Sequence, residues 1–342
     1  MTSVVHDVYQ VNLASSGKLK LRAKGLLAEG TDDAVFDACV LLHEAARIQR
    51  LAVESLPACP PITRLTSAVE ECWCYVEGRD PPRAAEAWGD VLRAREGIEP
   101  RVAESVLSRL EPRYKAAQQE FAQAVHSSAT LLAIRGAGAL SGLMPVELTK
   151  ARKELASVLA KFPGATSFRW MQYRLAEADD KKRDAWEALA RCRRLAPDNP
   201  RFRAMSLLVA AWALPMAGAD EQLASVRGVL ARSEPEVCLM YALAEINLAR
   251  KAETADRKLR WNRAREAADA GIARATSEGL RKHLKAAQLL LNELLAGRKP
   301  TIEILYLAGL TEIASTAKAS ADVIDLLTAR GRKEPDVVNK AA

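Results

Sequence analysis

Apolar residues recur along most of this chain at spacings of three and four, the period of one helical face. From Ile134 to Ile246 the pattern itself repeats every 34 residues. Ile134, Phe168 and Phe202 fall in one column, and Ala137, Met171, Met205 and Leu239 in the next. Ser141, Leu175, Val209 and Leu243 follow, then Met144, Ala178, Trp212 and Ile246. The second half of each unit aligns Ala151, Ala185 and Ala219, then Leu155, Leu189 and Leu223, then Val158, Cys192 and Val226. Pro163 and Pro197 close two of the units. Each unit predicts two short antiparallel helices, neither able to bury its stripe alone. Stacking the units buries it.

Upstream, residues 1–16 carry Val4, Val5, Val8 and Val11 and fit either a loose strand or a disordered arm. A helix is expected from near Lys18 to Gly30, and Thr31 caps a long one from Asp32 to about Leu56, acidic in its first turn. Pro60 and Pro61 open a helix that ends at Gly78; Asp80 caps another that stops at Gly97. A long helix kinked at Pro112 is expected from Pro100 to Gly136 and Gly138. Ala117, Phe121 and Ala124 stand one period before Ala151, Leu155 and Val158. The repeat either extends backwards in degenerate form or meets an amphipathic helix by coincidence. Beyond Ile246 the period breaks, and a longer pair sets Ala264, Ala268 and Gly271 opposite Leu280, Leu284, Ala287 and Leu291. Ile304, Leu305, Ala308, Leu310 and Ile313 predict a helix that hides the last apolar face. The expected organisation is a helical region at 1–130, a repeat region with capping helices at 131–319, and a short helix and mobile tail at 320–342.

Phe202, Met205, Ser206 and Val209, with Ala185, Leu189 and Pro197, fit the bulky, aliphatic, small and proline positions of the tetratricopeptide repeat. Over residues 132–250, approximately, the chain resembles that family, with Gln172 and Met240 in place of its small residue and Glu236 in place of a bulky one. The resemblance implies an all-α solenoid of antiparallel helix pairs, here behind a helical-bundle N-terminal region. It also implies a concave groove, lined by the first helix of each pair, that holds an extended partner segment. Carried onto this chain, the groove row is Arg135, Arg169 and Arg203, then Val237, beside Tyr173, Leu207 and Tyr241. Ala176, Ala210 and Ala244 form its floor. Arginines beside aromatic and aliphatic side chains suit an acidic, carboxylate-bearing segment, because the guanidinium grips carboxylates bidentately. A solvated basic face is the alternative. The family's clamp for chaperone tails needs a Lys–Asn pair that no unit has, so a co-chaperone role is not implied.

Composition sharpens this picture. With 49% hydrophobic and only 5% aromatic residues in 342, the chain can bury a long core and favours helix over sheet. It has no secretion signal at its start and no apolar run long enough to cross a membrane, which points to the cytoplasm. Residues 1–100 hold 11 Lys/Arg against 15 Asp/Glu, and the remainder 39 against 28, so the excess of +7 sits on the repeat side. A second basic stretch includes Lys258, Arg260 and Arg263, with Trp261 among them. It is either a phosphate-binding face for nucleic acid or a solvated helix surface.

No catalytic constellation is present. The chain lacks a nucleophile elbow, a phosphate-cradling Gly-rich loop and a His-Glu-x-x-His motif, and its four histidines are scattered. Cys72 and Cys74 flank Trp73 without the second ligand pair that zinc needs, and the six cysteines read as buried thiols. The expectation is a non-enzymatic adaptor that binds an acidic protein segment without cofactor or metal. Nucleic-acid binding through the basic helices at 250–285 is the alternative.

Overall fold

The computed structural model describes residues 2–56, 58–126 and 145–298, with 300, 301 and 304. Among these residues the protein is all-helical, with fourteen α-helices, one 3-10 turn at Leu230–Arg232 and no strand. The helices are α1 (Thr2–Glu29), α2 (Asp32–Glu54), α3 (Pro61–Glu77), α4 (Pro81–Arg95), α5 (Pro100–Leu107), α6 (Leu110–His126) and α7 (Pro145–Lys161). They continue as α8 (Thr166–Ala178), α9 (Lys182–Leu195), α10 (Pro200–Ala213), α11 (Met216–Arg227), α12 (Pro235–Lys251), α13 (Thr254–Ile272) and α14 (Glu278–Leu295). Most pack on helices adjacent in the chain, α1 on α2, α2 on α3, α3 on α4, α12 on α13 and α13 on α14. The chain divides into two compact units. One comprises Met1–Lys181 and Ala190–Pro197, the other Lys182–Leu189 and Asp198–Ala342. Ile134, Arg135, Gly136, Ala137, Gly138, Ser141, Met144, the helix expected after Ile304 and the segment 320–342 lie outside the described residues.

Local signals account for most boundaries. The Thr31 hydroxyl accepts from Ala34 N–H at 3.3 Å and starts α2, whose first turn carries Asp32 and Asp33. Asn199 starts α10 by accepting from Arg201 and Phe202 N–H. Two expectations need correction. The first residues are neither strand nor arm, because α1 begins at Thr2. Once Leu19, Ala23, Leu26 and Leu27 pack in the apolar clusters of this unit, each residue added upstream gains a backbone hydrogen bond. Nor is there one kinked helix after Pro100. The chain breaks at Ser108 and restarts at Leu110, because the Pro112 ring would clash with the carbonyl four residues earlier.

In the first unit, buried polar groups fix the register of the N-terminal helices. The Ser16 hydroxyl donates to Ala45 O, Gln49 Nε2 donates to Ser16 Oγ, and the Ser67 hydroxyl donates to Gln49 O. A second joint forms where the α3–α4 and α7–α8 turns meet. The Asp80 carboxylate accepts from Arg83 N–H at the start of α4, and from Thr166 N–H and Oγ1–H, at 3.1 and 2.8 Å, at the start of α8. Ala165, at the head of α8, has no side chain that could cap it. The turns touch so closely that a Cβ on Gly164 would stand 1.9 Å from Gly78 O. His43 of α2 lies against the same joint. Its Nδ1 is 3.2 Å from Leu195 O, and its Nε2, without a hydrogen bond, is 3.7 Å from Asp80 Oδ2.

The second unit is built on small residues. One cluster runs from Ala204 to Leu294 through Ala242, Ala264 and Ala287. The columns of the second helices, Ala185, Leu189, Ala219, Leu223 and Val226, are buried there. Ala151, Leu155, Val158 and Cys192 are buried in the first unit.

The joint yields two predictions. Gly164→Ala should lower stability by about 1–3 kcal/mol, since backbone rather than a flexible side chain blocks the new methyl. Gly228→Ala, with nothing within 4 Å, should stay within about 0.5 kcal/mol in the same denaturant titration. The second concerns acid. Burial, and then the Arg83 charge, lower the His43 pKa from 6.5 to about 3. Below pH 6.5 the unfolded chain therefore binds a proton that the folded chain does not. Stability should fall as pH drops toward 3, by up to about 1.4 kcal/mol per pH unit. Asp80, raised by its burial, works in the opposite sense, taking up a proton more readily when folded. His43→Gln should flatten the decline just below pH 6.5, measured by urea unfolding across a pH series.

Candidate functional site

The row expected to line a groove is interior. Tyr173, Leu207 and Tyr241 are buried, as are Ala176, Ala210 and Ala244. For Leu207, Ala210, Tyr241 and Ala244 the physical reason is that α10 and α12 are apolar around most of their circumference, and such a helix is covered on every side. Each tyrosine spends its hydroxyl locally. Tyr173 donates to Glu177 Oε1 at 2.7 Å and Tyr241 to Glu245 Oε1 at 2.9 Å, the same pairing one helical turn along. Arg169 is 6% exposed and thus no open groove residue. Arg203 is half-exposed, 3.7 Å from Glu234, and Arg135 lies outside the described residues.

The second basic set does not share one exposure. Lys258 is exposed and Arg263 half-buried, whereas Arg260 is buried. Its guanidinium donates to both Asp220 oxygens at 2.8 Å and to Glu245 Oε2 at 2.9 Å. Burial alone would lower the Arg260 pKa, but the Asp220 hydrogen bonds and the Glu245 charge outweigh it and raise it. The Arg260 hydrogen bond holds Asp220 below the usual carboxylate range. Arg227 completes the network by donating to the Tyr241 hydroxyl. Trp261 is core.

What the structure does bring together, in the first unit, is a set of three arginines around one ring. Phe36 lies in the second turn of α2, and its ring is buried. The guanidinium carbons of Arg169, Arg191 and Arg194 stand 5.3, 5.7 and 5.1 Å from its centroid, within cation–π range. Arg191 and Arg194 come from the end of α9 and are exposed, whereas Arg169 comes from the first turns of α8. Arg194 is paired with Asp37 at 2.7 Å. Among the described residues Arg169 donates to neutral oxygens, Pro163 O at 3.2 Å and Gln172 Oε1 at 3.1 Å. Burial first, and then the Arg191 charge, lower its pKa to about 10, so it is still a cation at neutral pH. Its other electrostatic neighbours are the Cys39 and Cys192 thiols, each pushed up to about 12 by burial and hence uncharged. Among the described residues no carboxylate pairs with Arg169 or Arg191.

The arginine columns were visible in the sequence, but the convergence of Phe36, Arg191 and Arg194 on Arg169 was not. No periodicity relates α2 to α9. Among the described residues no group of three His, Cys, Asp or Glu side chains could hold a metal, and no helix is long and apolar enough to cross a membrane. In comparisons with known proteins, no family model, curated protein or solved structure matches the chain.

The two fates of arginine can be told apart. Arg260→Ala should leave the fully buried Glu245 with the more distant Arg227, 3.7 Å away, as its cation and cost about 3–5 kcal/mol in thermal or denaturant unfolding. Charge reversal at exposed Lys258 should leave stability within about 0.5 kcal/mol.

Proposed function

We propose that this chain is a non-enzymatic adaptor of the cytoplasm, related in plan to the tetratricopeptide repeats, that binds an acidic segment of a partner protein. The docking point is the arginine cluster at Phe36. One observation carries this reading: Arg169 is buried and charged, with another guanidinium rather than a carboxylate as its principal charged neighbour. A buried cation without an anion is costly, and an incoming carboxylate would supply the missing charge. Arg191 is exposed beside it and able to meet such a group from solvent. Hydrogen bonds to charged groups contribute about 1.5–3 kcal/mol, enough to hold one acidic side chain in a shielded site.

A labelled peptide carrying two adjacent glutamates in a Gly/Ser background tests the proposal by fluorescence anisotropy. Binding should weaken as salt rises. Arg191→Glu should lower affinity about tenfold or more with the circular dichroism unchanged, and melting should not fall, since the side chain is exposed and the new carboxylate replaces the cation beside Arg169. Arg183→Glu, on the first turn of the same helix and 89% exposed, should leave affinity unaffected. Equal loss in both variants would reduce the interaction to net charge, and no loss at Arg191 would remove this site from the proposal.

A further inference from the structure

We infer that the group this cluster takes is a dianionic phosphomonoester, carried by a phosphorylated segment of the partner protein. This rests on the preceding reading and narrows it. Three guanidiniums meet at Phe36, and one carboxylate, Asp37, neutralises Arg194. Among the groups at the ring itself the excess is therefore two positive charges, with Asp32 and Asp33 one turn away on α2. A glutamate or aspartate side chain brings one negative charge, whereas a phosphomonoester brings about −1.5 to −2 at neutral pH.

The form of the site agrees with its charge. A carboxylate satisfies one guanidinium fork and leaves the second cation unmatched. Three phosphate oxygens can be shared between two forks that approach from different helices, α8 and α9. Arg169 is already oriented by Pro163 O and Gln172, so little ordering is needed at that side of the ligand. Asp80, the other carboxylate near the start of α8, has its oxygens engaged by Thr166 and the Arg83 N–H, and does not pair with Arg169.

A nucleic-acid strand is a poorer fit. Each phosphodiester carries a single charge, and the strand needs a path of cations. Here Asp32 and Asp33 stand four and three residues before Phe36, on the same side of α2, where a long polyanion would meet repulsion. One compact dianion avoids them.

The test compares peptides of one sequence carrying serine, phosphoserine or the glutamate pair, bound to the full chain. At pH 7.5 the phosphoserine peptide should bind about tenfold more tightly than the glutamate peptide, with the serine peptide weaker than either. The preference should shrink below pH 6, where phosphate loses its second charge. Arg191→Ala should abolish the preference and Arg183→Ala should keep it. If the glutamate peptide binds as tightly as the phosphoserine peptide, the inference fails while the acidic-segment reading stands. If neither binds, both fail. A preference that survives Arg191→Ala overturns the assignment to this site. Displacement of the phosphopeptide by an oligonucleotide at equal phosphate concentration overturns it in favour of nucleic acid.

Discussion

A single buried carboxylate holds the first unit together where it matters for the site. Asp80 caps its own helix, α4, and reaches across 86 residues of sequence to cap α8 through Thr166. Two helix starts thus share one acceptor, and each would otherwise leave backbone donors buried without partners. The close approach of Gly78 and Gly164 follows from this, since any side chain on Gly164 would push the two turns apart. Arg169 stands three residues after Thr166, so the cap also sets where that guanidinium emerges. Phe36 lies two turns before His43, the residue of α2 that packs on the same joint. The arginine cluster is in this sense a consequence of the cap.

Arg260 and Arg169 show how little residue type and burial say alone. Arg260 is as buried as Arg169, yet it faces Asp220 and Glu245, so its charge is matched inside the protein. Removing it would hurt folding before it touched any ligand. Arg169 has carbonyl and amide oxygens instead, which orient a guanidinium without neutralising it. It also sits near the positive end of α8, where a cation is disfavoured and no acidic residue occupies the first turn. Coulomb energy at that position is spent against folding. A surplus of this kind separates a candidate binding residue from a structural one.

Much of the fold was legible in the chain because its signals are local. Thr31 and Asp80 each announce a helix start within four residues of the bond they make. The columns through Ala185, Leu189 and Leu223 point inward, as their spacing requires. The exposed faces were harder to read. Register predicts which side of a helix meets its partner, but not how many partners it has. Helix α12 contacts α10, α13 and α14, so Tyr241 is covered although its column faces away from the first of the apolar stripes. The pairing of Arg260 with Asp220 and Glu245, 40 and 15 residues away, leaves no sequence period at all.

An anion at Phe36 would act on more of the molecule than the ring it meets. Arg169 has its pKa lowered by burial and by Arg191, and an anion between them would act on both causes together, supplying hydrogen-bond acceptors and screening one guanidinium from the other. Ligand binding would then be linked to stability, since any ligand with preference for the folded state stabilises it by mass action. The linkage is local. It runs through α8 to Thr166 and Asp80, and through α2 to His43, so the elements it tightens are those that the shared cap already holds in register. Binding energy at this cluster would reinforce the joint that creates it.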